Sequence, residues 1–119
     1  MEIVSRDRCA PFITKDTSEI REIMAYRNSS CERTSLAEAT LYPGRHTENH
    51  RHAVTEEIYY VLAGRGRIVV KGEASEIGPG DAILIPPGHA HQTWNTGEEA
   101  LVFLCICAPA YEHHDTMIE

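Results

Sequence analysis

Residues 44–64 read GRHTENHRHAVTEEIYYVLAG, a histidine-rich segment followed by a run of aromatic and branched side chains. His50 and His52 are two residues apart, and alternate residues of a β-strand point to the same face. Two neutral imidazoles on one face can bind one metal ion. Residues 53–56 allow the chain to reverse, so that Glu57 can return to the same interior. This stretch therefore predicts two imidazoles and one carboxylate in one site.

A second stretch, residues 80–95, reads GDAILIPPGHAHQTWN and supplies another histidine. The segment from Pro86 to Gly88 predicts a tight corner, because proline fixes one backbone torsion and glycine accepts positive φ. His91 follows this corner at the start of a predicted strand, and we expect its side chain to point inward. Three imidazoles and one carboxylate would form a mixed nitrogen and oxygen metal site.

The remaining chain reads as short strands divided by turns. Six runs of strand character lie between turn residues: 35–41, 57–62, 67–71, 82–85, 91–94 and 100–107. Turn signals about every 8–12 residues predict an all-β sandwich or barrel. Residues 18–24 place apolar side chains at helical spacing, which leaves a helical turn or an edge strand open. The polar tail, 111–119, is expected to lie over the barrel or to fray.

The spacing of the two histidine-bearing stretches resembles the two signature motifs of the cupin superfamily. Every motif position holds the expected residue type: Gly44, His50, His52, Glu57 and Gly64 in the first, and Gly80, Pro86, Gly88, His91 and Asn95 in the second. The resemblance implies an all-β fold, the double-stranded β-helix or jelly-roll cupin barrel. It also implies a single cupin domain over residues 1–119, with the motif-bearing core at about 35–108.

The same resemblance implies the ligands of one divalent metal ion. The metal ligands of the family map onto His50, His52, Glu57 and His91. Four protein donors leave two positions of a six-coordinate ion for water or for a bidentate substrate. Nitrogen and oxygen donors favour Mn²⁺ or Fe²⁺, with Zn²⁺, Ni²⁺ and Cu²⁺ as alternatives.

Two further side chains are candidate catalytic residues by their position along the strands. Tyr59 shares a strand face with Glu57, and Glu48 shares one with His50 if that strand begins early. Either side chain could move a proton during turnover. The alternative is that Tyr59 only lines the barrel and that Glu48 faces solvent.

The resemblance leaves two classes of function open. The first is a small metalloenzyme of the isomerase, dioxygenase or decarboxylase type, acting on a carbonyl, sugar-acid or carboxylate substrate. The second is a non-catalytic cupin that binds or senses a small molecule. Fold alone does not choose between them. The absence of a DNA-binding region in the sequence favours the enzyme.

Composition restricts the partners and the location. Eighteen acidic against eleven basic residues give a net charge of −7, which argues against a nucleic-acid partner and a polybasic membrane surface. The sequence starts without a signal-peptide pattern, so a cytoplasmic location is expected. Small cupins commonly pair, which makes a homodimer the expectation, with Tyr60 and Trp94 as outward-facing aromatic residues. Cys105 and Cys107 are predicted as core side chains rather than as a redox pair.

Overall fold

The computed structural model describes residues 1–119 and consists of two antiparallel β-sheets. The strands are β1 (Phe12–Ile13), β2 (Glu19–Met24), β3 (Ser35–Leu41), β4 (His50–His52), β5 (Glu56–Ala63), β6 (Gly66–Val70), β7 (Glu73–Ile77), β8 (Ala82–Ile85), β9 (His91–Asn95), β10 (Leu101–Ala108) and β11 (Thr116–Ile118). Two single-turn 3-10 helices span Arg6–Arg8 and His113–Asp115. No helix is both long and apolar enough to cross a membrane.

The two sheets divide the strands between them. One sheet has six strands in the order β1-β2-β3-β10-β5-β8, and the other has five in the order β11-β4-β9-β6-β7. Consecutive strands often lie in different sheets, as β4 and β5 do, so the chain passes back and forth between the layers. This all-antiparallel, two-sheet arrangement is the jelly roll that the motifs predict.

Apolar side chains from both sheets form one core. Along β5 the burial alternates, so that Tyr59 and Val61 point inward while Tyr60 and Leu62 point outward. The period of two is the pattern expected of a strand with one buried face. Ten buried residues form the core: Ala39, Leu41, Tyr59, Val61, Ile68, Ile77, Ile85, Leu101, Phe103 and Cys105.

Residues 19–24 form strand β2, so the helical-turn alternative is wrong and the strand alternative is confirmed. β2 pairs with β3 on one side, and on the other side the two-residue strand β1 covers only Glu19 and Ile20, so the rest of β2 borders the sheet edge. The pairing shifts register between Glu22 and Met24, which marks a β-bulge or irregularity. A bulge interrupts the alternation of faces, and this accounts for an apolar spacing that resembles that of a helix.

The C-terminal tail belongs to the second sheet. β11 pairs with β4, the strand that holds two of the predicted ligands. The buried Asp115 carboxylate accepts hydrogen bonds from the backbone amides of Val54 and Thr55, each at 3.1 Å. The tail therefore fixes the loop between β4 and β5, and it does more than lie over the barrel.

Gly64, directly after β5, has a backbone conformation that we expect to exclude other residues. Its φ is +84°, and a Cβ there would overlap the Ala100 carbonyl oxygen and lie 2.8 Å from the Leu101 Cα. We expect Gly64→Ala to lower the free energy of unfolding by about 2 kcal/mol or more, measured by urea denaturation. Gly72→Ala is the matched control, because φ is +79° but the space is open. Equal losses in both variants would contradict the steric argument.

Candidate metal centre

Three imidazoles converge between β4 and β9. His50 and His52 point inward from β4, and His91 begins β9 opposite His50 in the register of the two strands. All three side chains are buried, and their ligating nitrogens lie within 4.8 Å of one another. The alternation of β4 and the corner before β9 thus bring together the three histidines that the sequence singled out.

Hydrogen bonds fix the tautomers of His50 and His91. The Nδ1–H of His50 donates to the Glu48 carbonyl at 2.7 Å, and that of His91 donates to the His89 carbonyl at 3.0 Å. Because a carbonyl oxygen only accepts, the proton of a neutral ring lies on Nδ1. The Nε2 lone pairs are then free to bind a metal, as in other metal-ligating histidines.

The C-terminal tail orients the third histidine. Nδ1 of His52 lies 3.3 Å from the Thr116 hydroxyl on β11. That hydroxyl donates to the Glu112 carbonyl at 3.5 Å, which leaves its oxygen to accept from the His52 ring. Nε2 of His52 is therefore also directed at the centre of the site.

Glu57 joins the imidazoles through one of its two carboxylate oxygens. Oε2 accepts a hydrogen bond from the Cys107 thiol at 3.2 Å. Oε1 lies 3.3 Å from Nε2 of His52 and 3.7 Å from Nε2 of His91. Cys107 is buried as predicted, and burial raises its thiol pKa, so it contacts the site as a neutral donor.

Unsatisfied buried atoms test whether these residues fit a metal ion. Three buried side-chain atoms lack a hydrogen-bond partner, namely Glu57 Oε1, His91 Nε2 and Thr93 Oγ1. Such atoms are costly inside a protein unless something binds them. Two of the three are predicted metal ligands, and a divalent cation would satisfy both. The donor set therefore fits the ion that the motifs imply.

The pKa values of His91 and His52 are shifted in opposite directions. Burial, and to a lesser degree the neighbouring His50 ring, lower the pKa of His91 to about 4, so the His91 ring is neutral at pH 7. Burial also disfavours a charge on His52, but the Glu57 carboxylate, whose Oε1 lies 3.3 Å from Nε2, outweighs it and raises the His52 pKa. Without a metal, a protonated His52 can pair with Glu57. A metal ion would displace that proton.

Two residues that sequence reasoning missed also face the site. Asp16, in the turn between β1 and β2, places Oδ2 3.2 Å from Nε2 of His50. The Tyr111 ring lies edge-on against His52, with 5.9 Å between ring centroids. Asp16 falls within TKDTS, a polar sequence that signals a turn but not which distant residue that turn reaches.

The two candidate catalytic residues occupy different positions. The buried Tyr59 ring packs against Phe103 and edge-on against His91, at centroid distances of 4.5 and 6.0 Å. The side chain of Glu48 is exposed, and only its backbone carbonyl contacts His50. The catalytic roles of Tyr59 and Glu48 stay predictions, and the outward position of the Glu48 carboxylate does not support its role.

A small cavity of about 40 Å³ reaches Glu57 between the N-terminal strands and β10. It is lined by Phe12, Thr14, Ile20, Glu22, Ser35, Ala37, Glu57, Cys105, Cys107 and Tyr111. Larger concavities occur elsewhere on the surface, but none of them includes Glu57. Of the four candidate metal ligands, Glu57 is the one that lines this cavity.

Known proteins share this fold and parts of this sequence. An uncharacterized protein of Methanocaldococcus jannaschii is 43% identical over 112 residues, which cover 94% of this chain and 90% of that protein. A glucose-6-phosphate isomerase of Thermococcus kodakarensis is 36% identical over 117 residues, which cover 87% of this chain. The match spans only 61% of the length of that isomerase.

A solved structure and a family model agree with the fold. The crystal structure of a predicted oxalate decarboxylase from Thermotoga maritima superposes with a TM-score of 0.80 at 25% identity, covering 91% of this chain and 99% of the other. The family model of the cupin domain matches residues 37–107, which include both histidine-bearing motifs. The chain therefore belongs to the cupin family.

Proposed function

We propose that the chain is a metal-dependent enzyme that binds one divalent ion through His50, His52, Glu57 and His91. The observation that supports this proposal is the set of unsatisfied atoms at the centre of the site. Glu57 Oε1 and His91 Nε2 are buried without a hydrogen-bond partner, and both face the other imidazoles. Mn²⁺ or Fe²⁺ suits this donor set best.

The substrate is a small molecule with neighbouring carbonyl and hydroxyl groups. When bound, the metal would supply a Lewis acid that polarises a substrate oxygen. Tyr111 and Thr14 line the small cavity beside Glu57, where their hydroxyl groups could bind one oxygen of the substrate. The resemblance to a glucose-6-phosphate isomerase supports isomerisation of a sugar or sugar acid. No lysine or arginine lines the cavity, so an unphosphorylated substrate fits better than a phosphorylated one.

Metal content tests the proposed function first. Protein purified without a histidine tag or chelator is expected to contain about one equivalent of manganese or iron by plasma mass spectrometry. Aldoses, ketoses, sugar acids and dicarbonyl compounds would then be screened with and without oxygen. No bound metal, and no uptake of added Mn²⁺, Fe²⁺ or Zn²⁺, would overturn the proposal.

A second candidate function is binding without turnover. A cavity of about 40 Å³ has room for little more than one water molecule, whose share of liquid volume is about 30 Å³. A cavity of this size leaves little room for a sugar beside Glu57, and this favours the binding of a smaller ligand over sugar turnover. Thermal stabilisation by a screened compound, with no product formed from it, would select this function over the enzyme.

We propose that two copies of the chain pair through the outer face of the six-stranded sheet. Ile58, Tyr60, Leu62 and Leu84 form an exposed, uncharged apolar strip on the adjacent strands β5 and β8. A strip of this kind is typical of an interface. Trp94 does not extend it, because Trp94 lies in the other sheet beneath Arg67.

The pairing predicts a dimer in solution at micromolar concentration, measured by size-exclusion chromatography with light scattering. Leu84→Glu, on the outer strand of the strip, is expected to convert the dimer to a monomer, because a buried unpaired charge is costly. Val54→Glu is the control, because Val54 is equally exposed but lies on a loop outside the strip. A wild-type monomer would overturn the pairing.

A further inference from the structure

We propose that Asp16 is a fifth protein ligand of the same metal ion, an inference that rests on the proposed function. Asp16 lies in the turn between β1 and β2, far in sequence from both histidine-bearing motifs. Its side chain is 13% exposed, so the carboxylate has entered the barrel rather than the solvent. The N-terminal segment thus brings a second carboxylate to the imidazoles.

The two oxygens of Asp16 have different surroundings. Oδ1 accepts hydrogen bonds from the Thr14 hydroxyl at 2.6 Å and from the Ser18 hydroxyl and amide at 2.6 and 3.0 Å. Oδ2 has no such donors and points at Nε2 of His50. Glu57 shows the same division, with Oε2 held by a thiol and Oε1 directed at the imidazoles. In both residues one oxygen is anchored and the other is available.

The distance between Asp16 and His50 suits two neighbouring ligands of one ion. Nitrogen and oxygen donors lie about 2.1 Å from a first-row divalent metal, so two donors at a right angle are about 3 Å apart. The distance from Asp16 Oδ2 to His50 Nε2 is 3.2 Å, and that from Glu57 Oε1 to His52 Nε2 is 3.3 Å. Asp16 Oδ2 therefore lies beside one imidazole at a distance suited to a shared ion, whereas Glu57 Oε1 lies beside two.

Charge balance supports the same assignment. Asp16 and Glu57 form no ion pair with a lysine or arginine, and their nearest basic neighbours are the histidines. Buried charges are normally paired or bound to a metal. Two carboxylates and three neutral imidazoles neutralise one divalent cation, whereas Glu57 alone would leave a net positive charge.

The turn that carries Asp16 is attached to the elements around the metal centre. The Asp16 carbonyl accepts a hydrogen bond from the Glu48 amide at 2.7 Å, just before β4. The Thr17 hydroxyl donates to the His46 carbonyl at 3.2 Å, and the Lys15 ammonium donates to the Thr116 carbonyl at 2.9 Å. These bonds hold the turn against the ligand strands, so that Oδ2 is preorganised.

Five protein donors change what the site can accept. A six-coordinate ion would keep one open position instead of two. A substrate would then bind through a single oxygen, or a bidentate substrate would have to displace the Asp16 carboxylate. The number of exchangeable water molecules on the bound metal distinguishes five protein donors from four.

Mn²⁺ binding tests the inference without any enzyme assay. We would titrate metal-free protein with Mn²⁺ by calorimetry and measure water-proton relaxation of the loaded protein. Wild-type protein is expected to keep one exchangeable water on Mn²⁺. Asp16→Asn is expected to keep two and to bind Mn²⁺ at least about tenfold more weakly. Asp7→Asn, an exposed control of the same residue type, should match wild type.

The outcomes separate this inference from the proposed function. Two exchangeable waters on Mn²⁺ bound to the wild-type protein would overturn ligation by Asp16. This result needs no variant, so it does not depend on whether Asp16→Asn folds. Weaker binding in Asp16→Asn with an unchanged water count would also overturn ligation, because Asp16 would then only position His50. Absence of Mn²⁺ binding in wild type, together with no uptake of Fe²⁺ or Zn²⁺, would overturn the proposed function itself.

Discussion

His91→Ala is expected to lower the affinity for Mn²⁺ at least about tenfold, as measured by isothermal titration calorimetry at pH 7.5. His91 is fully buried, and its Nε2 has no hydrogen-bond partner. Its low pKa, about 4, means that no proton competes with the metal for this ring near neutral pH. The His91→Ala variant therefore loses a metal donor that needs no deprotonation near neutral pH.

His89→Ala is the matched control for this prediction. His89 lies two residues before His91 and contacts it only through the backbone carbonyl, which alanine keeps. The control should bind Mn²⁺ like wild type, and circular dichroism should show that both variants fold. Unchanged metal content in His91→Ala would contradict the assignment of His91 as a ligand.

The convergence of the three histidines could be predicted from the sequence because it depends on local rules. Alternation along β4 gives His50 and His52 one face, and the Pro86–Gly88 corner sets the start of β9 before His91. Both rules act within a few residues. The structure confirms the clustering of the imidazoles and the jelly roll that follows from the motifs.

The contribution of Asp16 could not be predicted, because it depends on a long-range contact. The turn between β1 and β2 lies beside His50 because β2 pairs with β3 in the six-stranded sheet, whereas His50 belongs to the five-stranded sheet. The sequence around Asp16 indicates a turn and gives no sign of its neighbours. The contact between Tyr111 and His52 is also long-range. It depends on the pairing of β11 with β4, which brings the C-terminal tail to His52.

Strand β7 shows a different limit of sequence reasoning. Its sequence, EASEI, has one buried residue, Ile77, and four exposed ones. It lies at the edge of the five-stranded sheet, where charged side chains reduce unwanted pairing with other chains. An edge strand of this kind lacks the apolar alternation that identifies the inner strands, so residues 73–77 are not among the strand-like runs of the sequence.

Phe103→Ala is expected to lower the free energy of unfolding by about 3–5 kcal/mol, measured by urea denaturation. Phe103 is fully buried in the centre of β10, between β3 and β5. Its ring packs on Tyr59, which in turn lies against His91. Alanine would lose this buried contact and leave a cavity that the surrounding strands cannot close.

Phe12→Ala is the matched control, because Phe12 is the other phenylalanine and is 45% exposed on the two-residue strand β1. Its loss of stability should be clearly smaller, since less apolar surface leaves the protein interior. A loss below about 1 kcal/mol in Phe103→Ala would contradict the packing described for the core.

Weaker Mn²⁺ binding in folded Phe103→Ala would further show that Tyr59 transmits core packing to His91. Unchanged binding would mean that the backbone of β9 and the His89 carbonyl suffice to position the ligand.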